Sequence, residues 1–155
     1  MTTTTAARNP TAVGSEGVTR ATNTNALRDI TELGGRVLLA TLFLVAGVGK
    51  IGSYAATAAY MTAVGVPSAL LPAVIAAEVL GALAIVVGWR TRATAFLLAG
   101  FTLLSASIFH NDFADQVQSV MFLKNVSIAG GFLLLMANGA GRFSADSRRS
   151  NASKG

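Results

Sequence analysis

Five side chains stand out as able to do chemistry in a chain otherwise poor in it: Lys50, Glu78, His110, Lys124 and Asn125. Each lies inside or at the edge of a long apolar run. Lys124 and Asn125 sit a third of the way into VMFLKNVSIAGGFLLLMAN (120–138), and Glu78 falls near the middle of PSALLPAVIAAEVLGALAIVVG (67–88). Lys50 closes GGRVLLATLFLVAGVGKIG (34–52), and His110 directly follows TRATAFLLAGFTLLSASIF (91–109). An ionised group at the centre of a bilayer-spanning helix costs about 3 kcal/mol to insert, so such groups pair with one another or line a functional pathway. Glu78 is therefore expected to pair with Lys50 or Lys124. Two lysines against one glutamate leave a surplus positive charge. That surplus suits an anion or a polar oxygen, such as a quinone carbonyl or a carboxylate, and a terminal His110 suits proton exchange at the pocket mouth. Each residue also has a plainer reading: Lys50 snorkelling to the headgroups, His110 as an ordinary loop residue, Glu78 in a purely structural ion pair.

Composition removes several chemistries. The chain has 155 residues, no cysteine and one histidine. Disulfides, thiol relays, iron–sulfur clusters and cysteine-ligated zinc are excluded within it, as is a bis-histidine haem within one subunit. No metal site is expected, no catalytic residue is identified, and any redox chemistry needs a diffusible cofactor, such as a quinone, or a partner protein. Charged residues make up 12% of the chain against 52% apolar ones, about half the charge that a soluble domain carries to solvate its surface. The natural solvent of the middle of this chain is a lipid bilayer.

The elements that must position the five residues follow from length. A spanning helix needs roughly 20 mostly apolar residues, and four windows qualify: 34–52, 67–88, 91–109 and 120–138. The expected fold is all-α, an integral membrane four-helix bundle over residues 26–140. A soluble four-helix bundle would need polar outer stripes that these segments lack. Residues 1–25, rich in Thr, Ala and Asn, read as a disordered tail, followed by a short helical lead-in with Arg28–Glu32 and Glu32–Arg36 at i,i+4 spacing. The segment 53–66, with Tyr54, Tyr60 and Met61 among small residues, reads as a short interfacial helix. Residues 141–155 form a basic tail. Of the 12 Lys and Arg, all but Lys50 and Lys124 lie before Val37, at the junction of the second and third spans (Arg90 and Arg92), or after Asn138. The loops 53–66 and 111–119 hold none. This asymmetry places both termini in the cytoplasm and the five-residue cluster toward the outer face. The basic balance, with a pI of about 10.5, then reflects contact with the inner leaflet; no nucleic-acid surface is visible. By helical rise, Lys124 lies about 9 Å below the outer end of its span and Glu78 about 16 Å down its own.

Ordered along the chain, FLVAGVGKIGSY (43–54), AAEVLGALAIVVGWRTR (76–92), IFH (108–110), FLKNVSIAGGFLLL (122–135) and GAGRFSAD (139–146) resemble the DoxX family of small four-helix membrane proteins. The resemblance spans about residues 33–146. It implies an inner-membrane protein, multi-pass, from a family associated with quinone, sulfur or thiol redox systems and oxidative-stress protection, and it makes Lys50, Glu78, His110, Lys124 and Asn125 the family's recurring polar positions. The absence of cysteine argues against direct thiol exchange here. The expected role is a membrane component of a redox pathway with an outward-facing polar pocket that takes a quinone-like or small anionic molecule. A small transporter gated by the Glu78–lysine pair, and a non-catalytic scaffold for soluble enzymes, are the alternatives. Four short helices make a small bundle, compatible with a homo-oligomer or a redox partner protein without requiring either.

Overall fold

The computed structural model describes residues 10–153, with side chains described from Asn25 onward. Its helices are α1 (Pro10–Gly52), α2 (Tyr54–Ala63), α3 (Leu71–Val87), α4 (Thr91–Phe109), α5 (Gln116–Asn138) and α6 (Ala145–Ala152), with one 3-10 turn at Ser68–Leu70. Four stretches, Asn25–Gly52, Ser68–Val87, Thr91–Phe109 and Gln116–Asn138, are long and apolar enough to cross a bilayer. Their outer surface decides the solvent: Leu38 (76% exposed), Leu80 (64%), Leu97 (68%) and Leu134 (67%) point away from the bundle on four different helices. In water such a belt would be a very large apolar patch. The fold is an all-α integral membrane four-helix bundle.

Two boundaries differ from the sequence expectation. Helix α1 begins at Pro10, so the expected tail over 1–25 overlaps helix from residue 10 onward, and its first nine residues lie outside the described ones. Proline fits a first helical position because its missing N–H has no acceptor there anyway. Helix α5 begins at Gln116 instead of 120, because the Asp115 carboxylate accepts from the amides of Val117 (2.6 Å) and Gln118 (3.1 Å). A side-chain oxygen at this position satisfies first-turn amides and so starts the helix.

The spans pack as two close pairs, α1 on α3 and α4 on α5, with α3 joining the pairs through α4. At the end of the bundle carrying the chain termini, small residues and rings interlock: Ala40, Phe43, Ala82, Ile85, Ala95, Leu98, Ala99, Ala129 and Phe132 form one buried cluster. Without a hydrophobic drive between helices in lipid, close packing over small residues holds them together. Phe43 sits at its upper edge, edge-on to Phe132 (5.2 Å between centroids) and tilted against Phe101 (6.4 Å). Beyond this aromatic layer the four spans part, and a cavity opens.

The segment after α5 does not hang free. Arg36, 1% exposed, turns into the bundle and donates from Nη2 to the carbonyl of Phe143. Of the two expected i,i+4 pairs, Arg28–Glu32 is made at 2.8 Å and Glu32–Arg36 is not. Asp146 lies against the turn between α3 and α4, where its carboxylate accepts from the amides of Arg90 and Thr91, both at 2.8 Å. It thereby caps the N-terminus of α4 from a distant part of the chain and supports Arg90 in its left-handed conformation (φ 45°). The Asp146 amide returns a bond to the Gly88 carbonyl at 2.9 Å. Burial alone would raise the Asp146 carboxyl. The Thr91 and Arg90 donors and the Arg149 charge outweigh it and hold the group below its ordinary range.

Candidate functional site

All five candidate residues line one cavity of about 210 Å³ between α1, α3, α4 and α5, at the end of the bundle away from the chain termini. Its floor is aromatic, formed by Phe43 and Phe101. Its polar wall is built by helical phase. Phe43, Ala46 and Lys50 fall on one face of α1, Thr102 and Ser105 on one face of α4, and Met121, Lys124, Asn125 and Ile128 on one face of α5.

Glu78, 5% exposed, is the most buried charge lining the cavity. Lys50 pairs with it in a two-pronged contact, Nζ to Oε1 at 2.8 Å and to Oε2 at 2.9 Å. The choice of Lys50 over Lys124 has a local cause. Gly47, one turn before Lys50, faces α3, and a Cβ there would lie 2.7 Å from a methyl of Val79 and 3.2 Å from the Glu78 Cβ. The bare glycine lets α1 close onto α3 so that Lys50 spans the remaining gap to the carboxylate.

Lys124 is exposed at the rim. Its ammonium contacts the thioether sulfur of Met121 at 3.1 Å, and among the described residues no carboxylate pairs with it. Asn125 donates to the Met121 carbonyl one turn back (2.9 Å), which leaves its amide oxygen for the cavity. The Gly130–Gly131 step of α5 does not bring Lys124 toward Glu78: Gly131 packs on Leu39 of α1, and Gly130 meets no neighbour.

His110 ends α4 at the cavity mouth, its Nδ1 2.7 Å from Oε1 of Gln118. Asp112 and Asp115 are the acids next to His110 in the chain, but its partner is Gln118, which sequence reasoning did not single out. Both aspartates are occupied locally, Asp112 with the amide of Ala114 and Asp115 with the start of α5. The signal for Gln118 was the capping aspartate, since Asp115 as N-cap puts residue 118 on the first turn. Thr102 and Ser105 complete the wall, with the Thr102 hydroxyl donating to the Leu98 carbonyl at 2.6 Å. Among the described residues, no group of three or more His, Asp or Glu is placed to hold a metal ion.

With the geometry in place, comparison with known proteins identifies the framework. The DoxX family matches residues 32–111, just over half the chain. The chain belongs to the DoxX family. That match contains Lys50, Glu78 and His110 and stops before Lys124 and Asn125. Two curated relatives match a larger share of the chain. The inner membrane protein YqjF of Escherichia coli K12 is 52% identical over 120 residues, covering 77% of this chain and 92% of that protein. The inner membrane protein YphA of the same strain is 38% identical over 130 residues, covering 79% and 93%. No solved structure matches the chain. The DoxX fold here thus puts an ion pair, a histidine and a carboxylate-free lysine around one polar cavity.

Proposed function

We propose that this DoxX protein is an inner-membrane component of a redox pathway whose cavity binds a quinone-like or small anionic molecule through Lys124, Asn125 and Lys50. What supports the reading is the division of labour between the lysines. Lys50 is neutralised by Glu78, whereas Lys124 faces the same cavity without a carboxylate partner among the described residues. A carbonyl or carboxylate oxygen is the ligand atom that such an ammonium and a neighbouring amide prefer. Glu78 serves as counter-charge to Lys50, and His110 with Gln118 serves as the proton-exchanging group at the mouth.

The names of the two relatives support an inner-membrane location. Arginines of α1, the α3–α4 turn and the terminal segment all gather at the closed end of the bundle, which supports termini in the cytoplasm and a cavity opening outward. The Phe43–Phe101–Phe132 layer across the bundle favours a one-sided binding pocket over a transport path.

The test is equilibrium binding of a tail-less benzoquinone to the purified protein in lipid nanodiscs, with no transmembrane gradient. Lys124→Met is expected to weaken binding at least tenfold. Ser127→Ala, whose hydroxyl bonds to the Leu123 carbonyl on the exposed side of α5, is expected to leave it unchanged. Equal binding by wild type and Lys124→Met contradicts the proposal.

A further inference from the structure

Beside the polar cavity lies a second, larger one of about 340 Å³. Its walls are largely apolar: Met61 of α2, Val66 and Leu70 before α3, Val74 of α3, and Leu104 and Ile108 of α4. The two chambers meet along Lys50, Glu78, Phe101, Ser105 and His110, which line both. Helix α2 roofs the second chamber. It packs chiefly on the 3-10 turn and the end of α1, and it reaches α4 through the stacking of Tyr60 on Phe109 (5.6 Å between centroids, 29° between planes). Met61, 3% exposed, points inward from it.

From this we infer that the site takes a single-tailed amphiphile: a hydrogen-bond-accepting head in the chamber of Lys124 and Asn125, and an apolar tail in the chamber under α2. This rests on the proposed binding role of the polar cavity and adds the class of molecule. Three observations carry it. Small-molecule sites run from about 300 to 1,000 Å³; the polar chamber alone falls below that range, while the apolar chamber that opens from it lies at its lower end and supplies the missing room. The charged groups lie in the first chamber and along the shared edge; beyond that edge the polar lining is only Thr57, whose hydroxyl donates to the Ser53 carbonyl, and the Tyr60 ring that stacks on Phe109, so an occupant of both chambers meets charge at one end only. Among the described residues, the one carboxylate lining either chamber is Glu78 on the shared edge, and Lys50 neutralises it, so a neutral or anionic head meets no net repulsion there. The bilayer is the source of such a molecule, and the seam between α2 and α4 is its route in, with Tyr60 and Phe109 as the contact that parts.

The test measures, in nanodiscs of one lipid composition, binding of three probes: a benzoquinone with a ten-carbon tail, the same ring without the tail, and decanoate. Partitioning of each probe into the lipid is common to wild type and variants and cancels in their ratio. Val74→Phe and Ile108→Trp, two independent fillings of the apolar chamber, are each checked for retained helix content and thermal transition. Either one, if folded, is expected to weaken the tailed quinone at least tenfold and the tail-less ring by less than about twofold. Equal loss of both quinones, or loss of neither, overturns the inference while leaving the polar cavity's role standing. If neither quinone binds wild type but decanoate does, and chamber filling removes it, the tail chamber stands and the quinone reading falls. If no tailed probe binds, or if lipid chains occupy the chamber so that binding is indifferent to its filling, the inference is wrong.

Discussion

Lys50→Met will destabilise the bundle more than the double change Lys50→Met, Glu78→Met. Removing one member of a buried pair strands the other, at a cost of roughly 3 to 5 kcal/mol, whereas replacing both by apolar side chains of similar volume is near neutral or stabilising. Lys50 keeps 28% of its side chain exposed, so about 3 kcal/mol for the single variant, the lower end of that range, is appropriate. The double variant should lie within about 1 kcal/mol of wild type by the same reasoning. Reversible unfolding in mixed micelles, with Glu78→Met alone completing the cycle, yields the coupling between the two residues. Additive losses would mean that Lys50 and Glu78 do not share a buried contact. Binding should follow a different order: the double variant, though stable, loses the polar edge common to both chambers.

The second large effect lies at the opposite end of the molecule. Gly88 sits in the left-handed region (φ 72°), and a Cβ there would meet the Arg36 guanidinium and Ser144. Gly88→Ala therefore adds left-handed strain of about 1 to 2 kcal/mol and displaces the arginine that joins α1 to Phe143. The expected total is about 3 kcal/mol, toward the upper end of ordinary single-site losses. It should come with faster tryptic cleavage at Arg142 and Arg148 as the terminal segment is released. Asp146→Asn should release the segment with a smaller loss of stability, since it removes the charge and one of the two acceptors of the cap but keeps an amide oxygen for the other N–H. Because the folded Asp146 carboxyl is held below its ordinary value of 3.8, its contribution is complete above that pH. It is lost as pH falls through the lower, folded value. Tryptic protection unchanged in Gly88→Ala would show that the segment is not held by this contact.

The sequence made some of this legible and hid the rest for physical reasons. A charge in an apolar helix is conspicuous because it is costly, which is why Lys50, Glu78, Lys124, Asn125 and His110 could be singled out and the four spans located. Which lysine pairs with Glu78 depends on how closely α1 approaches α3. That approach is set by Gly47 against Val79, a contact that helical phase within one segment cannot reveal. Arg36 was counted among the basic residues facing the inner leaflet, since periodicity places it near a helix start. Its burial arises from Gly88 and Phe143, 52 and 107 residues away in sequence. Asp146 was visible only as part of the GAGRFSAD pattern, and its capping of α4 became clear once the terminal segment was seen to fold back. The apolar chamber under α2 carried no sequence signal at all, because residues lining a void look the same in sequence as residues filling a core.

The central claim is that the polar cavity holds the head of a ligand between Lys124 and the Lys50–Glu78 pair. The most direct measurement is an experimental structure of the protein extracted from its own membrane with lipid, without added ligand. The account predicts non-protein density within hydrogen-bonding distance of Lys124 Nζ or Asn125, continuing past Ser105 into the chamber beneath α2. A cavity closed by Lys124 folding onto Glu78, with α2 packed flush against α4, would contradict it.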